Sequence, residues 1–363
     1  MAKTALLVAG GTGGHLFPAL ALRAGLMERG WIVHVASDTR AGRFMENVPA
    51  DFRHIIAAAT FTGGNPVAAA KTMVTLARGL IAARRLVKEI KPDVVVGFGG
   101  YPTLPPVIAA RLAGIPIIVQ DQNAVIGRAN RLLIRLGAHL ATGFENPAGS
   151  AGARVTTHVG NPVRPAVIAA SHQPYRAPAP GEPFQLLVFG GSQGASAFSD
   201  LVPPAIAALS PDLRARLRVV QQCREEDLAR TRSAYDDLGI TAELATFFTD
   251  MAERIGSAHL VISRAGASTV SELAVIGRPA ILVPYPHALD HDQAENARAL
   301  CACGGGWLMA EAGLTPEKLA ARLAELMGDP ALLARAADAA RALGAPQAVA
   351  RLADLVENTA DKA

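Results

Sequence analysis

At 363 residues the chain is long for one domain and ample for two, and half of its residues are hydrophobic, so a large core is available. Its three cysteines, Cys223, Cys301 and Cys303, exclude a disulfide framework, and Cys301-x-Cys303 lacks the second pair that a structural zinc site needs, so the compartment reads as cytosolic. The net charge of +4 hides an asymmetry: residues 1–165 carry 18 Lys+Arg against 8 Asp+Glu, and the remainder carries 17 against 23. A basic half joined to an acidic half points to an anionic surface as a partner, and no recognition module or aromatic-basic platform for nucleic acid accompanies it.

In chain order, residues 5–9 form a first strand that runs into Gly10-Gly11-Thr12-Gly13-Gly14-His15. The glycines interrupt the apolar run too early for a signal peptide. Helical spacing over 16–27 stops at Gly30, and a second strand, 31–36, ends at Ser37-Asp38. A Gly-containing loop at 61–66 precedes a long helix over 67–90. Its cations, Lys71, Arg78, Arg84, Arg85, Lys88 and Lys91, interleave with apolar residues against a single Glu89. A strand over 93–96, a glycine loop over 97–102, a helix to 113 and a strand over 115–120 follow. Residues 102–119 come nearest to a bilayer span but contain Arg111, four prolines and a glycine.

The Pro-rich stretch 161–183 reads as the crossing between domains. Beyond it a strand over 185–189 ends in Gly190-Gly191-Ser192-Gln193-Gly194, and further strands fall at 217–222 and 241–247. The apolar run 259–262 is a buried parallel strand, followed by a turn through Gly266 and a helix over 270–276 capped by Ser268 or Thr269. Gly277 and Pro279 stop that helix before a strand at 280–283. The tail from 315 to 361 is helical, broken at Pro330 and Pro346.

Residues 263–296 therefore form a βαβ unit, whose ligands sit at the carboxyl ends of the strands. The N–H groups of Ala267, Ser268 and Thr269 and the positive helix end suit a diphosphate. Glu272, placed in the first turn, is an acceptor for a ribose diol, and Gln293 lies past the next strand end. An ordinary capped helix is the plain alternative. The order of strand, glycine loop, helix, Gly-x-Pro and strand occurs in both halves of the chain. It predicts an α/β protein of two Rossmann-like, doubly wound parallel-sheet domains with a cleft between them.

Asp38 closes the second strand about 23 residues beyond the first glycine loop, near where a dinucleotide fold keeps its ribose acid. A nicotinamide-dependent oxidoreductase is thus a rival reading, opposed by the second glycine loop and the helix at 267. His287 and His291 lie four apart beside carboxylates, but prolines make that stretch a loop without an obvious third ligand, so no metal is expected.

Taken together, GGTGGHLFPALAL, GFGGYP, GNPVR, GGSQGA and SRAGASTVSELAVIGRPAILVPYP, in this order over nearly the whole chain, resemble the MurG family of bacterial UDP-N-acetylglucosamine transferases, which convert lipid I to lipid II. The resemblance implies a GT-B fold. Residues 1–163 would form an acceptor- and membrane-facing domain and 164–340 a UDP-sugar-binding domain, with a helix over 341–363 packing back on the first. It implies inverting transfer without metal or cofactor and peripheral attachment to the cytoplasmic membrane face. UDP-N-acetylglucosamine, lipid I, anionic lipid and cell-wall synthesis proteins would be the partners. By motif, Thr12, Gly13, Gly14, Asn123, Arg164, Ser192, Phe248, Ala267, Ser268, Thr269, Val270, Ser271, Glu272 and Gln293 would bind the donor, Gln293 from a loop one residue longer than is usual. His15 is the candidate base and Asp121 the alternative. The family often has His-Glu-Gln-Asn where this chain has Gln120-Asp121-Gln122-Asn123, and its aromatic membrane residues are aliphatic or basic here.

Overall fold

The computed structural model describes residues 2–57, 66–191, 194–288 and 291–362. The chain divides into two compact units, one of residues 1–164 with 345–363 and one of residues 165–344.

The first unit holds a seven-stranded sheet of β1 (Thr4–Val8), β2 (Ile32–Ser37), β3 (Arg53–Ile55), β4 (Val94–Gly97), β5 (Ile117–Asp121), β6 (His139–Thr142) and β7 (Thr156–His158). The strands lie in the order β3-β2-β1-β4-β5-β6-β7, all parallel. Strand alternation gives each face its own core. Ala5 and Leu7 pack with Leu16, Leu22 and Leu26 of helix Gly13–Glu28 and with Leu352 and Val356 of helix Ala348–Ala360. Leu6 and Val8 face the other way, onto Ala83, Leu86 and Val87 of helix Pro66–Ile90 and Val107 and Ala110 of helix Leu104–Leu112. The final helix is fastened to this unit by Arg29, whose Nη1 meets Asp354 and Glu357 at 2.7 Å each.

The second unit holds β8 (Phe184–Phe189), β9 (Leu217–Gln222), β10 (Ala242–Ala245), β11 (Leu260–Ser263), β12 (Ala280–Leu282) and β13 (Gly306–Leu308), parallel in the order β10-β9-β8-β11-β12-β13. Its main core gathers Leu186 and Val188, Phe198 and Val202, Leu260 and Ile262, and Leu319 and Leu323.

Several elements differ from the sequence reading. Helix Gly13–Glu28 begins three residues earlier than expected and takes in Gly13 and Gly14, whose low helix propensity is overridden because the helix packs on β1 and β2. The Pro-rich crossing is not all irregular. It contains helix Pro165–Ser171, started by Pro165, a residue preorganised for the first helical position. The tail breaks into Pro316–Gly328, Pro330–Leu343 and Ala348–Ala360, with Pro330 opening a helix rather than merely ending one.

The part of the crossing that follows helix Pro165–Ser171 is tied down by Arg278, which is 1% exposed. Its Nε donates to Gly256 O (3.0 Å), its Nη1 to Ile276 O (3.0 Å) and Gly277 O (3.1 Å), and its Nη2 to Gln173 O (3.2 Å), with the Tyr175 ring 5.4 Å away. Burial lowers its pKa from the usual value. In Arg278→Leu, Gly256 O and Gly277 O lose this donor outright, while Ile276 O and Gln173 O keep only Arg341 Nη2. That variant should be less stable by about 3 kcal/mol or more in denaturant unfolding. A loss below about 1 kcal/mol would mean that water replaces the guanidinium at little cost.

Candidate active site

In the first unit, the order β2-β1-β4-β5 brings the loops after β1, β4 and β5 side by side at the carboxyl edge of the sheet. The N–H of Gly10 donates to Gly99 O at 3.0 Å. A Cβ on Gly10 would lie 3.3 Å from that oxygen and 3.2 Å from His15 Cδ2, and Gly99 has a φ of +95°, so glycine is needed on both sides of the contact. The half-buried His15 ring lies against both glycines, and its Nδ1 is 2.9 Å from Gln122 Oε1.

The five-residue glycine stretch has two parts. Gly11 is structural: a Cβ there would sit 2.1 Å from Asp38 Oδ1 and 2.9 Å from Ala41 N. Thr12 and Gly14 are exposed, and a Cβ on Gly14 would meet nothing within 4 Å. The N–H groups of Gly13 and Gly14 lack intrahelical acceptors, the first such bonds being from His15 N and Leu16 N to Thr12 O, and the Thr12 side chain does not cap them. Arg164 joins this group through Phe17, with its guanidinium 5.1 Å from the ring.

Asp38 is occupied. Its Oδ1 accepts from Arg40 N at 3.0 Å, its Oδ2 accepts from Arg40 Nε at 2.9 Å, and the residue is 8% exposed. A carboxylate so engaged is poorly placed as a ribose acid, which removes the main support for the oxidoreductase reading.

Asp121 is likewise a loop-holding residue rather than an open base. It is 1% exposed; Oδ1 accepts from Asn123 N (3.0 Å) and Oδ2 from Gly127 N (2.8 Å) and Asn130 Nδ2 (2.9 Å). Burial pushes its carboxyl above the usual range, against the pull of those three bonds. Sequence reasoning missed the rest of this network. Gln120 Nε2 donates to Asn161 Oδ1 (3.1 Å) and Asn161 Nδ2 donates to Gln122 O (2.8 Å), all three residues buried. The available signal was a run of polar residues, QDQN, at the end of an apolar strand.

In the second unit, the helix after β11 is Ala267–Ile276, with Gly266 as N-cap and no side-chain cap. This corrects the expected Ser268 or Thr269 cap: both residues lie inside the first turn, and Glu272 falls in the second turn, 8% exposed. The first intrahelical bond is Val270 N to Gly266 O at 3.0 Å, so the N–H groups of Ala267, Ser268 and Thr269 lack helical acceptors. Ser268 Oγ is buried with no hydrogen-bond partner among the described residues, while Ser271 Oγ returns to Ala267 O at 2.8 Å. Gln293 Oε1 accepts from Ala265 N (3.2 Å) and Tyr285 N (2.9 Å), holding the loops after β11 and β12 together.

Arg264, unanticipated from sequence, braces the same loops. Its Nη1 donates to Val283 O (3.1 Å) and Pro284 O (3.3 Å) and pairs with Glu311, and its guanidinium is 5.1 Å from the Phe198 ring. Phe248 is buried beneath Arg254, 4.1 Å from its ring. In the glycine loop after β8, Gly191 and Gly194 have φ of +87° and +68°; Ser192 lies outside the described residues.

Both units thus offer uncapped helix starts beside glycine loops, an arrangement suited to phosphate groups. Residues 5–141 match the glycosyltransferase family 28 N-terminal domain and residues 185–354 the family's C-terminal domain. A protein of Allorhizobium ampelinum, named UDP-N-acetylglucosamine--N-acetylmuramyl-(pentapeptide) pyrophosphoryl-undecaprenol N-acetylglucosamine transferase, is 54% identical over 98% of this chain and 95% of its own. The chain belongs to this transferase family. A protein of the same name from Rhizobium rhizogenes is also 54% identical, over 98% of this chain and 96% of its own. The crystal structure of Acinetobacter baumannii MurG has a TM-score of 0.79 at 32% identity, covering 98% of this chain and 99% of that one. The fold is therefore GT-B, with one parallel-sheet α/β domain in each unit.

The two kinds of glycine in the first loop make different predictions. Gly11→Ala should lose about 1–3 kcal/mol of stability, because the methyl group must displace Asp38 or the backbone at Ala41. Gly14→Ala should melt like the parent or slightly higher. Equal melting of all three proteins would show that the loop yields at Gly11.

Proposed function

We propose that this protein transfers N-acetylglucosamine from UDP-N-acetylglucosamine to the 4-hydroxyl of the N-acetylmuramyl sugar of lipid I, with inversion, giving lipid II for peptidoglycan synthesis. The observation that carries this reading is the 54% identity, over 98% of the chain, to a transferase of that name. The site geometry supports it. The uncapped helix start at Ala267 and the glycine loop after β8 are placed to bind the diphosphate of the donor, and Ser268 Oγ is a further donor group there. Glu272 binds the ribose hydroxyls, and the backbone at Phe248 meets the uracil. In the second unit Gln293 contacts the sugar. In the first unit Asn123 faces the N-acetylglucosamine, and Arg164, Thr12, Gly13 and Gly14 are further donor contacts.

UDP leaves from an oxocarbenium-like centre as the acceptor hydroxyl attacks from the opposite face. His15 takes the proton of that hydroxyl. The positive potential at the leaving diphosphate comes from helix N-termini and backbone amides, so this chain's own groups supply it.

A product assay tests the reading. UDP-N-acetylglucosamine and a lipid I analogue should give the disaccharide product, in chelator as well as without it. Glu272→Ala should raise the KM for the donor, because the ribose hydroxyls lose a charged acceptor worth ~1.5–3 kcal/mol. Absence of product with this acceptor, alongside normal UDP binding, would point to another acceptor. Unchanged donor affinity in the variant would remove Glu272 from the site.

The acceptor's lipid places the protein at the cytoplasmic face of the membrane, where other cell-wall synthesis proteins would meet it. Among the described residues no helix is long and apolar enough to cross a membrane. Helix Pro66–Ile90 instead presents Val74, Arg78, Ile81, Arg85 and Lys88 at helical spacing, all exposed. Leu112, beside Arg111, and Leu132 and Leu136, flanking Arg135, are exposed on neighbouring helices. Exposed apolar groups among cations suit an anionic lipid surface. Binding to anionic vesicles should weaken with salt and fall when Arg84, Arg85 and Lys88 are neutralised together. Equal binding by that triple variant would place the contact elsewhere.

A further inference from the structure

The donors and acceptors around Gln122 determine where the proton of His15 sits. Gln122 is 3% exposed, and its amide nitrogen lies 3.0 Å from Phe98 O and 3.3 Å from Gln120 O. Backbone carbonyls only accept hydrogen bonds, so the group facing them must be the NH2. The reverse orientation would set the amide oxygen against two carbonyl oxygens in a buried site. Gln122 Oε1 therefore faces His15 Nδ1, at 2.9 Å, and an amide oxygen also only accepts. His15 Nδ1 must carry the hydrogen. In a neutral imidazole that leaves the lone pair on Nε2, for which no hydrogen bond occurs among the described residues.

We propose that Gln122 is a positioning residue that holds neutral His15 as the Nδ1–H tautomer, leaving Nε2 as the proton acceptor. This rests on the reading of His15 as the base, and goes beyond it by assigning the accepting atom and the group that selects it. Two features keep the arrangement in place. The Gln122 backbone is held by Asn161 Nδ2, which donates to its carbonyl at 2.8 Å. The His15 ring is fixed by Gly10 and Gly99, where Cβ atoms would come within 3.2 and 3.1 Å of it. In the reaction, the acceptor's O–H bond breaks, its oxygen forms the new glycosidic bond, and its proton passes to Nε2. The imidazolium so formed keeps its Nδ1–H on Gln122 Oε1, and the electron pair of the breaking anomeric C–O bond leaves with UDP.

The tautomer is directly observable. Protein labelled with 15N-histidine, at alkaline pH, should give a long-range 1H–15N correlation pattern for His15 with Nδ1 protonated and Nε2 bare; the resonance is assigned by its loss in His15→Ala. In Gln122→Met the pattern should shift toward the Nε2–H form. With it, kcat should fall about 10-fold or more, part of the ~10²–10⁴ that a general base contributes, at unchanged donor KM. A protonated Nε2 in the wild-type protein would overturn the inference without any variant, as would an unchanged pattern in a folded Gln122→Met. If the Nδ1–H pattern is found and responds to Gln122, the assignment of the tautomer holds even if His15→Ala turns over normally; only the reading of His15 as base then fails.

Discussion

The backbone contact between Gly10 and Gly99 sets the geometry of the first unit's site. A 3.0 Å hydrogen bond joins the two loops, a Cβ at Gly10 would be tightly crowded, and Gly99 holds a backbone conformation that side-chain-bearing residues rarely adopt. It brings the loop after β1 against the loop after β4, and so lets a histidine in the first turn of helix Gly13–Glu28 reach a glutamine just past β5. Because β1, β4 and β5 are adjacent and parallel, the sheet order alone brings three loops to one edge. The glycines then determine how closely they approach. Side-chain chemistry follows from that spacing.

The second unit reaches a similar end by different means. Its uncapped group is a helix start with Gly266 as cap and a buried serine hydroxyl that has no partner among the described residues. No side-chain cap occupies the first N–H groups there. The loops around it are held by Gln293 and Arg264, whose hydrogen bonds to neighbouring backbone groups cross from β11 to β12. In both units, buried polar side chains hold the loops and exposed glycines or uncapped amides face outward. A polar network with several bonds per residue is a stiff support, and an uncapped helix end is a vacant donor.

Much of this was legible in the chain. Glycine after an apolar β-branched run marks a strand-to-helix turn, and Gly277 ends its helix in the left-handed conformation that glycine favours. Other features were not legible because they depend on partners distant in sequence. The hydrogen bonds of Asp121 were not legible either, since three donors, two of them backbone N–H groups, converge on it from residues 123, 127 and 130. Ser268 and Thr269 looked like caps by residue type, yet Gly266 takes that position and shifts Glu272 one turn along. Strands β3, β7 and β13 have three residues each, too short for a periodic signal, and exist through pairing with their neighbours. Gln122 is marked only as a member of the polar run QDQN, and Asn161 by nothing local; their contribution appears only when donors and acceptors are matched across β4, β5 and the segment after β7.

All of the proposed chemistry in the first unit converges on His15, and single-turnover kinetics of His15→Ala examine it without ambiguity. The transferase reading predicts a chemical step slower by ~10²–10⁴, with UDP affinity and melting temperature as in the parent protein. A step that barely slows would mean that the proton leaves by another route. Loss of UDP binding or of stability in proportion to activity would instead make His15 part of the scaffold that Gly10 and Gly99 enclose.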